Sequence, residues 1–121
     1  MAKSYTELNV WKKSMQLFEK VDILTKVLPL TNRALADQMK RSAISIPSNI
    51  AEGYGRSTTK EYLKFLYYSK GSLFELETQL RLYDTICNYN KDELLKAKVL
   101  AIDVGKMLNK LISVLETKVR E

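Results

Sequence analysis

The residues whose type and spacing could do chemistry are cations. Lys12 and Lys13 are adjacent, as are Lys40 and Arg41, and Arg56, Lys60 and Lys64 follow within nine residues. Lys60 and Lys64, four apart, share a face if that stretch is helical. Clustered cations bind phosphates and need nothing else to do so, whereas lysines scattered among acids make an ordinary solvated surface. Twenty Lys and Arg against fourteen Asp and Glu give a formal net charge of +6 and a pI near 9.4. The excess is +4 over residues 1–56 and +2 over 57–121, with no basic tail. On one chain the solvated surface is the simpler reading. Repeated by the symmetry of an oligomer, the same residues become a ring of positive potential, and Lys12, Lys13, Lys40, Arg56, Lys60 and Lys64 are then the candidate nucleic-acid contacts.

Other chemistry is hard to build from this chain. It contains no His, which removes the usual general base, the commonest zinc ligand and the Glu-x-x-His pairs that hold two metals in ferritin-like bundles. Ser and Cys lack the base that would activate them. Cys87 has no second Cys to pair with, fits a reducing compartment and falls in an apolar stripe as small core filler. Gly53, Gly55 and Gly71 match no phosphate-loop or dinucleotide spacing. Glu75 and Glu77 are two apart and face different sides of a helix, so Glu75 reads as one half of a structural ion pair, and Glu52, near the end of the second helix, as a residue that salt-bridges or caps a neighbour. The expectation is a protein that is not an enzyme and holds no metal or cofactor. Residues 1–10 are polar and no stretch approaches transmembrane length, so a cytoplasmic protein away from the membrane is expected.

Four helices must position these residues, within one domain spanning 1–121. The first, about 9–27, repeats Val10, Trp11, Leu17, Phe18, Val21, Leu24 and Leu28 at three- and four-residue steps and ends at Leu28-Pro29-Leu30. The second, about 31–53, is capped by Thr31 or Asn32 and places Leu35, Met39, Ser42 or Ala43, Ile46 and Ile50 on one side. Pro47 lies inside it and should kink it. Gly53-Tyr54-Gly55-Arg56 reads as a loop in which left-handed glycines stop the helix.

The third, about 58–87, opens on a Thr58–Glu61 capping box and alternates steps of four and three through Tyr62, Leu66, Ser69, Leu73, Leu76, Leu80, Tyr83 and Cys87. Asn88 is the candidate left-handed residue of the next turn. Asn90 and Glu93 repeat the capping-box spacing before the fourth helix, about 91–119, with Leu94, Ala97, Ala101, Val104, Leu108, Leu111 and Leu115 in the same alternation. Short connections predict an all-α, antiparallel, up-down-up-down four-helix bundle. Helices three and four carry more apolar surface than one seam needs: Leu63, Tyr67, Phe74 and Leu82, then Leu100, Met107 and Val114. That surplus is either a broad core stripe or a second seam that joins copies of the chain.

The run Arg41-Ser42-Ala43-Ile44-Ser45-Ile46-Pro47-Ser48-Asn49-Ile50-Ala51-Glu52-Gly53 resembles the hallmark of the 23S rRNA-intervening-sequence protein family of four-helix-bundle proteins. Leu8-Asn9-Val10-Trp11-Lys12-Lys13, Glu61-Tyr62-Leu63-Lys64-Phe65-Leu66 and Gly71-Ser72-Leu73-Phe74-Glu75-Leu76-Glu77-Thr78-Gln79-Leu80 resemble its other motifs, in family order over nearly the whole chain. Asn88 stands where the family pattern has Gly. The resemblance implies an antiparallel bundle assembled as a ring-like homopentamer, and accommodates Pro47. It also implies a nucleic-acid or ribonucleoprotein setting, because the family is named for reading frames in rRNA-gene insertions. Related accessory variability proteins serve reverse transcriptases in diversity-generating retroelements.

Carried onto this sequence, the motifs mark Arg41, Asn49, Glu52 and Glu75 as structural polar residues, with Arg41 expected to bridge to Glu52 or Glu75. Two functions follow. One is a basic homo-oligomer that binds rRNA or other nucleic acid and joins its copies through Leu63, Tyr67, Phe74, Leu100, Met107 and Val114. The other is a scaffold that docks a protein such as a reverse transcriptase or ribosomal component, with no nucleic-acid role.

Overall fold

The computed structural model describes residues 3–120. Its four helices are α1 (Asn9–Lys26), α2 (Arg33–Tyr54), α3 (Thr59–Ile86) and α4 (Lys91–Arg120), with short 3-10 turns at Tyr5–Glu7 and Leu30–Asn32 and no strand among the described residues. Packing runs around a square: α1 on α2, α2 on α3, α3 on α4, α4 on α1, with no Cα pair within 8 Å across either diagonal among the described residues. Along α1 and α2, Asp22 meets Lys40 while Trp11 and Ala51 line one groove. Along α2 and α3, Ser45 meets Ser72 and Gly53 meets Tyr62. Along α3 and α4, Asp84 meets Lys91 and Tyr67 meets Glu116. In each pair one number rises as the other falls, so these neighbours run antiparallel.

The apolar periodicity becomes the core. Leu17, Val21 and Leu24 of α1, Met39, Ile46 and Ile50 of α2, Leu66, Leu76 and Tyr83 of α3, and Ala97, Val104 and Leu108 of α4 are fully buried. Burial pushes the Tyr83 hydroxyl up to about 12. Cys87 is buried where α3 ends.

α2 and α3 pack closely where Gly53 faces α3. An added Cβ at Gly53 would stand 2.9 Å from Phe65 Cβ and 3.1 Å from the Tyr62 carbonyl oxygen. Gly53 therefore lies inside α2, buried, and is needed for its missing side chain; the expected loop begins later. No described glycine has a positive φ, and Gly55 ends α2 at φ −81°. α2 is continuous through Pro47, which is buried. Proline has no N–H for the carbonyl four residues back, and the neighbouring carbonyls take side-chain donors. Ser48 Oγ donates to the Ile44 carbonyl (2.8 Å), Asn49 Nδ2 to the Ser45 carbonyl (2.9 Å), and Ser69 Oγ of α3 to the Ile46 carbonyl (2.9 Å). Ser72 Oγ donates to Ser45 Oγ (2.8 Å) and closes this polar seam.

The turns depart from expectation in two places. Neither Thr31 nor Asn32 caps α2 with its side chain; the 3-10 turn brings the Asn32 N–H to the Pro29 carbonyl (2.8 Å) instead. The left-handed residue after α3 is Asn90 (φ 58°), because Cys87 leaves the helix extended and the reversal is made just before α4. Glu93, in the first turn of α4, pairs with Lys20 of α1 (3.1 Å). Thr58 does cap α3, accepting from the Glu61 N–H at 3.1 Å.

Asp84 fastens the α3–α4 turn, 2.5 Å from Lys91 Nζ and 3.0 Å from Lys98 Nζ. Hydrogen bonds from Lys91 and Lys98 hold its carboxyl below the usual range, and Lys20 does the same for Glu93. A carboxyl depressed in the folded state contributes stability above its unfolded value and loses it as pH falls through the folded one. The melting temperature should therefore drop as pH falls below about 4, and Asp84→Asn should flatten that drop while lowering stability at neutral pH, as thermal melts across pH would read. Gly53→Ala should cost about 1–3 kcal/mol of unfolding free energy by overpacking. Gly71→Ala, where a Cβ would meet nothing within 4 Å, should gain about 0.5–1 kcal/mol; urea unfolding of both variants checks the pair.

Candidate nucleic-acid interface

The Thr58 cap fixes where α3 begins, which sets Lys60 and Lys64 one turn apart on its exposed face. Antiparallel packing brings the last turn of α4 alongside. Leu63, Tyr67, Tyr68 and Val119 then form the floor of a largely apolar groove, with Lys60, Lys64 and Arg120 around it. Glu116 also lines it and accepts a hydrogen bond from the Tyr67 hydroxyl, which holds that phenol above its usual pKa.

Aromatic rings continue from the groove to the α2–α3 corner. Tyr68 is half exposed and packs edge-on against Phe65, ring centroids 5.7 Å apart. The Arg56 guanidinium lies 4.6 Å from the Phe65 ring centre and 2.8 Å from Glu52 Oε1. Tyr62 packs edge-on against Tyr54, and burial, then the neighbouring phenol, pushes its hydroxyl up to about 12.

The ion pairs are unevenly placed. Lys20, Lys26, Arg33, Lys40, Lys91, Lys96 and Lys98 are all paired with Asp22, Asp37, Asp84 or Glu93, toward the end where α1 finishes and α2 begins. Toward the other end Arg56–Glu52 is the one ion pair among the described residues. Among the described residues Lys60, Lys64 and Arg120 form no ion pair, and all three side chains are exposed.

The structure gathers only part of the set expected from sequence. Lys60 and Lys64 share the groove, with Arg56 at the corner beside it. Lys40 is 3.8 Å from Asp22, toward the far end. Lys12 and Lys13 are on α1, diagonally opposite α3, so they lie across the bundle. Arg120 and Tyr68 were missed; pairing the end of the fourth helix with the start of the third would have found Arg120, whereas Tyr68 carries no periodic signal.

The structural polar set also divides. Asn49 is tied to Ser45 through its amide. Arg41 makes no bridge to Glu52 or Glu75 among the described residues. Glu52 is eleven residues further along the same helix, about 16 Å away, and pairs with Arg56 instead, while Arg41 and Glu75 are both exposed. Of the apolar residues expected to join copies, Leu63 is buried in the chain's own core at 6% exposure, and Leu100 and Met107 are half-buried against it. Tyr67, Phe74 and Val114 remain exposed, and Leu82, Leu95, Val99 and Ile102 are further exposed apolar residues on α3 and α4.

Cations without carboxylates beside exposed rings can hold phosphates and stack planar groups. Among the described residues no three His, Cys, Asp or Glu side chains gather as metal ligands would, and no helix is long and apolar enough to cross a membrane.

The model of the 23S rRNA-intervening sequence protein family matches residues 6–110. A solved structure from Bacteroides thetaiotaomicron, described as a protein with unknown function from the S23 ribosomal protein family, superposes with a TM-score of 0.77 at 21% identity, over 86% of this chain and 95% of that one. No curated protein matches the sequence. Nearly the whole bundle, from the first 3-10 turn to the last third of α4, lies within the matched span, and the chain belongs to the 23S rRNA-intervening sequence protein family.

Proposed function

We propose that this chain is a non-enzymatic, cytoplasmic homo-oligomer, pentameric as the family resemblance implies, that binds RNA or other nucleic acid through the cations at the end where α3 begins. The observation that carries the reading is the contrast in pairing. Most cations toward the far end pair with carboxylates of the chain, Arg81 apart, while Lys60, Lys64 and Arg120 gather at one groove and none of the three forms an ion pair among the described residues. A cation already paired with a carboxylate contributes little to phosphate binding, whereas unpaired ones release counterions when a polyanion replaces them. Oligomer symmetry multiplies the effect.

The exposed Phe74, Val114, Leu82, Leu95, Val99 and Ile102 support association with something apolar. A second copy is the first reading. The second is a partner protein, such as a reverse transcriptase or ribosomal component, docked on the outer face of α4, which Leu95, Val99 and Ile102 favour.

In solution the mass should be about 70 kDa, five chains of 14.0 kDa, and Phe74→Glu should lower it while leaving helical content unchanged, as light scattering and circular dichroism would read. Binding to an RNA of arbitrary sequence should weaken steeply with salt. Lys60→Gln with Lys64→Gln should weaken it further and reduce the slope of log K against log salt by about 1.4 to 1.8. An oligomer with no affinity for RNA or DNA at low salt would leave the docking scaffold as the function.

A further inference from the structure

The groove between the start of α3 and the end of α4 combines two features that duplex binding alone does not call for. Phosphates on a duplex are satisfied by cations, and its bases are stacked inside and present no free face to a side chain. Here the cations surround exposed rings. Tyr68 is 50% exposed although it lies among core-forming neighbours, and its edge contact with Phe65 supports the ring from one side. Phe65 is in turn covered by Arg56 at 4.6 Å, so the ring pair belongs to the packed α2–α3 corner. The Tyr67 hydroxyl is engaged by Glu116, and Leu63 and Val119 make the floor apolar.

Resting on the nucleic-acid reading above and narrowing it, we infer that this groove takes single-stranded nucleic acid, with an unpaired base stacked on Tyr68 and its flanking phosphates on Lys60, Lys64 and Arg120. Stacking on an aromatic side chain is tolerant of sequence, because every base has a π-face, and it is closed to a base held in a duplex. Charge complementarity favours this occupant over a second copy of the chain. A copy would have to gather three carboxylates on one spot, whereas Glu19, Glu61, Glu75, Glu77, Asp92 and Asp103, described acids without an ion pair, are dispersed over α1, α3 and α4.

The test is fluorescence anisotropy of the full chain with an unstructured RNA oligonucleotide and with a duplex of equal length, at two salt concentrations, alongside solution mass. The expected result is tighter binding of the single strand. Tyr68→Ala should reduce single-strand affinity about 5- to 150-fold, the contribution of one stacked base, while leaving duplex affinity, salt slope and mass unchanged. Tyr68→Phe, which keeps the ring, should restore the affinity. Equal affinity for both forms and indifference to Tyr68→Ala would overturn the single-strand assignment and leave a phosphate-only binder. A change of mass in Tyr68→Ala would overturn it in favour of an interface between copies. Failure to bind either nucleic acid at low salt would overturn the nucleic-acid reading itself.

Discussion

The close approach of α2 and α3 is the constraint on which the rest of this bundle depends. Two helices can come this near only where one contributes no side chain, and Gly53 supplies that position against Phe65 and Tyr62. A little further along the same contact, Pro47 removes a backbone donor, and Ser69 reaches across from α3 to the Ile46 carbonyl. Hydroxyls suit this place because they are small enough for the approach and can donate to a carbonyl or to one another. The polar run around Pro47 is thereby part of the packing, with Ser45, Ser48, Asn49, Ser69 and Ser72 binding one another or nearby backbone.

That contact also decides what α3 shows to solvent. With Ser69, Ser72 and Leu76 turned inward and Leu63 drawn into the core, the outward positions fall to Lys60, Lys64, Tyr68 and Phe74. At the far end, α3 and α4 are joined through Asp84 with Lys91 and Lys98, and α4 and α1 through Glu93 with Lys20. Acids and bases there serve to hold a turn and align helices. The same pairing at the near end would neutralise the groove, and apart from Arg56–Glu52 it does not occur among the described residues.

The helices were legible in the sequence because apolar spacing reports burial directly. The stripe from Leu66 to Cys87 is buried throughout, and so is most of the stripe from Leu94 to Leu115. What the spacing could not tell was how wide each buried face is. Leu63 falls outside the main seam yet is buried, while Phe74, eleven residues on and nearly the same direction around the helix, is 57% exposed; the width of the buried face changes along α3. Backbone handedness was equally hidden. Gly53 and Asn88 are residues that tolerate a left-handed conformation, but tolerance is not use: Gly53 is needed for space, and the reversal falls at Asn90. The candidate site was half legible. Lys60 and Lys64 declare a shared face by being four apart, whereas Arg120 joins them only through tertiary packing. Arg41 was expected to find a carboxylate because the resemblance made it structural, and its exposed position removes the burial penalty that would have required one.

Acids at the near end have prior attachments that keep the groove electropositive. Glu52 is bound to Arg56 and Glu116 receives the Tyr67 hydroxyl, so neither turns toward Lys60, Lys64 or Arg120. Glu61 lies in the first turn of α3, where the helix's own N-terminal partial charge favours a carboxylate. Each acid thus has a local reason for its place that does not involve the three cations. A groove whose cations had evolved only for solubility would gain stability from pairing with these neighbours. Leaving them unpaired beside exposed aromatic rings is the arrangement expected when the partner that completes them is a polyanion from outside the chain.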